Sequence, residues 1–175
     1  IVKCCFDTDD WVTSNDAAFE GFTHTSFNWF AVFLRDNTTL DLVNTETTTA
    51  QLTSAAATLS ANTVTTGTGS VIAARGDLAI TADQQHYDGS IGSTGVLTLT
   101  GSDIVSTQQI AAGTGLHITA DQLRNSGQID VTQGAANVDL TGAFDNRDGI
   151  VRSGGDTLDI NAATLDNRDG QIASV

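Results

Sequence analysis

Proline and methionine are both absent from the 175 residues of this chain, and lysine occurs once, as Lys3. Because proline cannot donate a hydrogen bond to a sheet ladder, its absence is consistent with a body of continuously paired strands. The absence of methionine, including at position 1, predicts that the chain is a fragment or a processed product. The first residues also lack the basic and apolar segments of a signal peptide, so we expect any export signal to lie upstream.

Long apolar runs and basic residues are also missing. No stretch reaches the roughly 18 apolar residues of a transmembrane helix, so we expect no membrane insertion by this segment. Seven Lys and Arg stand against 21 Asp and Glu, which gives a formal net charge of −14. Such a surface repels phosphate backbones and anionic headgroups, so we expect no nucleic-acid partner.

Residues that carry chemistry are few and scattered. The two cysteines, Cys4 and Cys5, are adjacent and lack metal-ligand spacing, so we interpret them as ordinary thiols. The three histidines are His24, His86 and His117, and His117 alternates with apolar neighbours, which predicts that it faces solvent. Because catalytic and metal sites need converging partners, we predict no catalytic residue, no metal ligand and no cofactor.

What the sequence does contain is a repeat with a period of about nineteen residues. One apolar column consists of Leu40, Leu59, Leu78, Leu97, Leu116, Val138 and Leu158. A second column follows about thirteen residues behind and consists of Leu52, Ile72, Ile91, Ile110, Ile129, Ile150 and Ile172. Two columns with one period indicate coils that stack on one another.

Each coil has the pattern of short strands and not of helices. Leu116, Ile118 and Ala120 alternate with polar residues, and a turn with Asn125 and Gly127 follows. The sequence therefore predicts an all-β, right-handed parallel β-helix with one coil per 19–22 residues or so. We expect an aliphatic interior without a ligand cavity, and coils too regular to form the walls of a cleft. The residues predicted to point inward are Leu78, Ile80, Ile91, Leu97, Leu99, Ile110, Leu116, Ile118, Ile129, Leu158, Ile160 and Ile172.

The aromatic residues divide the chain into two parts. All but Tyr87 and Phe144 lie within the first 33 residues. We therefore predict an N-terminal segment over residues 1–37 and β-helix repeats over residues 38–175. The N-terminal segment is interpreted as a cap over the first coil or part of an upstream domain, and Phe27–Leu34 has the composition of a strand.

Two further patterns lie on the predicted surface. The Asp-Asn-Arg-Asp-Gly turns at 145–149 and 166–170 carry arginine where a calcium loop would need oxygen ligands. We interpret them as solvated turns, with Asn146 and Asn167 in left-handed geometry and arginine beside an aspartate of the next coil. A ladder of outward threonines is predicted at Thr81, Thr100, Thr119 and Thr141.

The pattern Leu-x-Ile-x-Ala-x-x-Leu-x-Asn-x-Gly-x-Ile at 116–129 resembles the repeats of filamentous haemagglutinins. These are exoproteins of two-partner secretion, a group that includes contact-dependent inhibition proteins. Residues 158–172 show the pattern with one residue inserted, the resemblance is weaker over 38–115, and it is absent over 1–37. It implies a secreted or bacterial cell-surface location, an outer-membrane transporter as partner during secretion, and a receptor on a host or neighbouring cell.

Three functions follow as hypotheses. The first is a structural shaft segment of a large haemagglutinin-like adhesin or of a toxin-presenting virulence exoprotein. The alternative is a receptor- or glycan-binding module that uses the aromatic segment 1–37. The third is a carbohydrate-active β-helix enzyme, which would need two or three acids converging in a cleft. We expect that the protein is not an enzyme.

Overall fold

The structure is a computed structural model of the chain. It describes residues 58–155 and 157–174 with their side chains, and before them the backbone of separate strands. All regular elements in this described part are β-strands. Accordingly, no helix in it has the length and apolar character needed to cross a membrane.

The described chain winds into coils of three strands each, and equivalent strands of successive coils form three rows. The first row contains Thr38–Leu42, the start of Ala57–Thr66, the start of Leu78–Tyr87, Val96–Thr100, Gly115–Ala120, Ala136–Leu140 and Leu158–Asn161. The second row contains Thr45–Thr47, the ends of Ala57–Thr66 and Leu78–Tyr87, then Asp103–Ser106, Gln122–Asn125, Ala143–Asp145 and Thr164–Asp166. The third row contains Phe30–Leu34, Ala50–Ser54, Val71–Ala74, Ser90–Ser93, Gln109–Ala112, Gln128–Val131, Ile150–Ser153 and Gln171–Ser174.

Every pairing within these rows is parallel. The third row forms an 8-stranded sheet, and the first two rows join into a 12-stranded sheet because two of their strands run continuously around the corner. Leu97 lies in register with Leu78 on one side and with Leu116 on the other, a step of 19 residues each way. The predicted parallel β-helix is confirmed.

The core lies between the sheets and is filled by the inward positions of each strand. Of the twelve residues predicted to point inward, nine are buried. The other three, Leu158, Ile160 and Ile172, pack against the core but remain partly exposed, because they belong to the last described coil. Leu165, an inward position of the same coil, is 52% exposed.

The register between coils differs from the predicted columns at three places. Leu59 pairs with Ile80 and not with Leu78, because the turn at residues 67–70 is two residues longer than its counterpart in the next coil, at residues 88–89. Val138 pairs with Ile118 and not with Leu116. In the third row Val151, and not Ile150, takes the inward place next to Ile129.

The threonine ladder is also shorter than predicted. Thr81, Thr100 and Thr119 lie in register on the exposed face of the first row, as predicted. The next position belongs to Asp139 and not to Thr141. The cause is the same as for Val138: the step between these two coils is 20 residues, from Leu116 to Ala136, whereas the predicted columns assume 22.

The interior is less uniformly aliphatic than the sequence predicts. Tyr87 and Gln85 are both fully buried near one corner of their coil. The Tyr87 hydroxyl donates to Gln85 Oε1 at 2.6 Å, and Gln85 Nε2 donates to the carbonyl oxygens of Ala82 and Thr100 at 3.1 and 2.7 Å. The polar groups of Tyr87 and Gln85 therefore have partners, which removes most of the cost of burying these two side chains.

Burial should prevent ionisation of Tyr87 in the folded protein. Removal from water raises the pKa of the Tyr87 phenol far above its usual value. Because the unfolded state would lose its phenol proton near pH 10, the fold should be at full stability below that pH and lose stability above it. Tyr87 is the only tyrosine, so ultraviolet absorbance of tyrosinate reports on it alone.

We expect tyrosinate to appear only together with loss of the native circular dichroism spectrum. The urea-unfolded chain is the control and should titrate near pH 10. Tyrosinate formation near that pH with the β-sheet spectrum unchanged would contradict the buried position of Tyr87.

The N-terminal segment is described only as backbone strands. Phe30–Leu34 lies within the predicted strand Phe27–Leu34 and pairs in parallel with Ala50–Ser54. Cys4–Cys5 pairs antiparallel with Trp11–Val12. The contacts of the aromatic side chains in residues 1–37, and the surroundings of His24, lie outside the described residues. The cap and the receptor-recognition hypotheses both stay predictions.

Candidate functional site

A column of mostly polar side chains follows the corner at which the second row ends. We call it the corner column, and its members are Thr66, Tyr87, Ser106, Asn125, Asn146 and Asn167. All except Asn167 are buried. At a corner the chain leaves one sheet before it enters the next, so some backbone groups lack ladder partners. Polar side chains at this position can satisfy them.

The last three members form a ladder of side-chain amides. Asn125 Nδ2 donates to Asn146 Oδ1 at 2.7 Å, and Asn146 Nδ2 donates to Asn167 Oδ1 at 2.6 Å. Asn146 Nδ2 also lies 3.2 Å from the carbonyl oxygen of Gly149 and 3.4 Å from that of Gln171. The ladder thus connects three successive coils, and its hydrogen bond between Asn125 and Asn146 is buried from water.

The turns around this ladder have a different geometry from the predicted one. The residues with positive φ are Asp148, at 60°, and Asp169, at 58°, and not the two asparagines. The asparagine side chains turn inward instead. Gly149 permits this, since a Cβ there would lie 2.3 Å from the Asn125 carbonyl oxygen and 2.6 Å from Asn125 Nδ2.

Outside the ladder, the same turns carry alternating charges. Asp145 accepts from Arg147 Nε at 2.8 Å, and Arg168 Nη2 lies 2.6 Å from Asp166 Oδ2. Arg147 Nε also lies 3.7 Å from Asp166 of the next coil, as predicted for these turns. The hydrogen bond from Arg168 is the main cause that lowers the pKa of Asp166 to about 2, and the hydrogen bond from Arg147 lowers the pKa of Asp145.

A small cleft lies beside the corner column, contrary to the expectation that the coils are too regular to form one. Its volume is about 240 Å³. It is formed where the turn after Asn125 meets the longer turn after Asp145 in the next coil. We call it the corner cleft; it is lined by Val105, Ser106, Arg124, Asn125, Ser126, Asp145, Arg147 and Asp148.

Two buried polar atoms lack hydrogen-bond partners within the described part of the chain, and one of them belongs to a residue that lines this cleft. One is Ser106 Oγ, on a fully buried residue of the cleft wall. The other is Oδ1 of Asp103, whose Oδ2 accepts from Arg124 Nη2 at 2.6 Å. A buried polar atom without a hydrogen bond costs roughly 1–3 kcal/mol, so such atoms mark places where a polar partner would be favourable.

The histidines of the described region lie apart from the cleft. His117 is exposed, as predicted, and its Nδ1 lies 3.2 Å from Asn137 Nδ2. His86 is exposed and bonds to Asp88 at 3.1 Å. Within residues 58–155 and 157–174, no three or more His, Cys, Asp or Glu side chains are grouped as a metal site would require.

The sequence holds a signal for the ladder that the predicted columns do not use. Asn125, Asn146 and Asn167 recur every 21 residues, and each is followed two or three residues later by glycine. The corner cleft has no such signal. It depends on how two turns of unequal length lie against each other in neighbouring coils.

No protein-family model, no curated protein and no solved structure matches this chain. Function therefore has to be argued from the fold and the corner cleft. The polar side chains that line the cleft carry two hydroxyls, one amide, two guanidinium groups and two carboxylates. These groups are suited to holding a polar ligand by hydrogen bonds.

Proposed function

We propose that this chain is a shaft segment of a large secreted or cell-surface exoprotein of the filamentous haemagglutinin type. In this role the coils hold a distal adhesive or toxin module away from the cell. The observation that carries the proposal is the uninterrupted parallel pairing of all three rows from Leu78 to Ser174. The resemblance of residues 116–129 and 158–172 to haemagglutinin repeats supports the exoprotein class.

Rigidity at the corners supports this mechanical role. Backbone amides in the turns after the third row bond to the coil before them: Thr94 to Ala74 at 3.1 Å, Gly113 to Ser93 at 2.8 Å, and Thr132 to Ala112 at 2.9 Å. With strands, turns and the asparagine ladder all bonded between coils, a bend in the stack would break hydrogen bonds in several places at once.

The two alternatives draw less support from the described residues. Recognition through the aromatic segment 1–37 depends on side chains that lie outside them. A glycan-cleaving enzyme needs a general acid with a raised pKa. Asp145, in the wall of the corner cleft, has a lowered pKa because Arg147 bonds to it. This favours binding over hydrolysis there, and the absence of enzymatic activity stays a prediction.

A distance measurement between spin labels tests the shaft proposal. Labels at Ala79→Cys and Asp159→Cys, with both native cysteines replaced by serine, lie in one outward column four coil steps apart. At about 4.8 Å per coil, the two backbone positions should be about 19 Å apart with a narrow distribution. Pulsed electron paramagnetic resonance measures both the mean and the width.

Removal of one coil, residues 97–115, provides a matched test of the same proposal. Leu116 should then stack on Leu78, and the mean distance should shorten by about 4.8 Å with no increase in width. A broad distribution in the intact chain, or loss of folding on removal of one coil, would argue against a shaft whose length is the sum of its coils.

A further inference from the structure

We propose that the corner cleft binds a single neutral sugar ring, such as one pyranose unit of a glycan. This inference does not depend on the shaft proposal, because a rigid stack of coils could carry such a site or lack it. Four features of the cleft lead to it: its balance of charges, its exposed polar groups, its size and its rigid floor.

The charges that line the cleft favour a neutral ligand. Arg124 and Arg147 are opposed by Asp145 and Asp148, so the lining residues carry no net charge. An anion would also meet the field of a chain with a net charge of −14, and a cation would meet two guanidinium groups. A polyol carries no charge and so avoids electrostatic repulsion of either kind, and its hydroxyls can still bond to the polar groups of the cleft.

The exposed polar groups of the cleft suit the hydroxyl groups of a sugar. A sugar hydroxyl both donates and accepts, so it can pair with the Ser126 hydroxyl or with the Asp148 carboxylate, which both belong to exposed residues of the cleft lining. Arg147 and Asp145 offer neighbouring donors and acceptors on the same wall. Adjacent hydroxyls of a pyranose present the same combination at similar spacing.

The dimensions of the cleft limit the ligand to one ring. Its volume of about 240 Å³ is below the roughly 300–1,000 Å³ of typical sites for larger ligands. Val105 is half-buried and gives the cleft an apolar contact for the C–H face of a ring. Asn125 is held by the asparagine ladder, so the floor is ordered before a ligand arrives, which lowers the entropy cost of binding.

An NMR titration tests the proposal on the full chain. The probes are the methyl α-glycosides of glucose, galactose and mannose, added to ¹⁵N-labelled protein. We expect at least one to shift amide resonances of the cleft, with an affinity of order millimolar for so small a contact. Ser126→Ala should weaken it about tenfold without lowering the unfolding midpoint, because Ser126 lines the cleft and is exposed.

The chain offers a matched pair of arginine variants. Arg147 and Arg168 occupy the same turn sequence and each bonds to the aspartate two residues before it, but only Arg147 lines the cleft. Arg147→Gln should weaken glycoside binding about tenfold, whereas Arg168→Gln should leave it unchanged. This pair provides a second test that does not depend on Ser126.

Three results would overturn the proposal. The first is that none of the glycosides shifts cleft resonances at concentrations well above millimolar. The second is that Arg147→Gln and Arg168→Gln weaken binding equally, which would indicate contact with the surface in general. The third is that inorganic phosphate or acetate shifts the cleft amides while the glycosides do not, which would assign the cleft to anions.

Discussion

Replacing Leu116 with aspartate should lower the free energy of unfolding by about 3–5 kcal/mol. Leu116 is fully buried in the first row, between Leu97 of the coil before it and Ala136 of the coil after it. The new carboxylate would lie in an aliphatic column with no cationic partner, and the packing of the leucine would also be lost. Chemical denaturation followed by circular dichroism measures the loss as a shift of the unfolding midpoint.

His117→Asp is the matched control for this variant. It places the same charge one residue along the same strand, where the side chain faces solvent. We expect its effect to stay within about 0.5 kcal/mol, as is usual for surface substitutions. Equal midpoints for Leu116→Asp and the parent chain would mean that the inward face of this strand is misassigned.

The second large effect is expected at the centre of the asparagine ladder. Asn146→Asp keeps the shape of the side chain but replaces its amide donor with an acceptor. The new carboxylate would then face Asn167 Oδ1 and the carbonyl oxygens of Gly149 and Gln171 without a hydrogen to share. Because Asn146 is fully buried, we expect a loss of about 3 kcal/mol or more in unfolding free energy.

Asn167→Asp supplies the comparison within the same ladder. Asn167 is half-buried, and its Nδ2 donates to a single described acceptor, the carbonyl oxygen of Gly170 at 3.4 Å. Its replacement should cost clearly less than that of Asn146. If the two variants unfold at the same denaturant concentration, the amide contacts between coils do not contribute as the structure indicates.

The sequence by itself determined the class of fold and, for the regular coils, the buried face of each strand. Alternation at Leu116, Ile118 and Ala120 specifies which side is buried, because neighbouring side chains of a strand point to opposite faces. The period of about nineteen residues specifies one coil per repeat. The alternation and the period both depend on residues that are close in the sequence. They can therefore be read from one sequence before any contact between coils is known.

The pairing between coils could not be settled in the same way. In the first row Leu78 and Ile80 are both inward and apolar, so a shift by two residues leaves the pattern equally good. In the structure Ile80 is the partner of Leu59, because the turn at 67–70 is longer than the turn at 88–89 in the next coil. The length of a turn, and not the pattern of a strand, sets that register.

The arrangement of side chains at the corner after the second row depends most strongly on tertiary structure. Asparagine is a residue type that is common in turns, so the sequence places Asn146 in a turn. Its side chain is buried because Asn125 and Asn167 of the neighbouring coils lie in register and bond to it. The corner cleft likewise exists only where two turns of unequal length lie side by side. A burial pattern follows from residues close in the sequence, whereas a ladder or a cleft depends on groups about 21 residues apart that meet only after the coils have stacked.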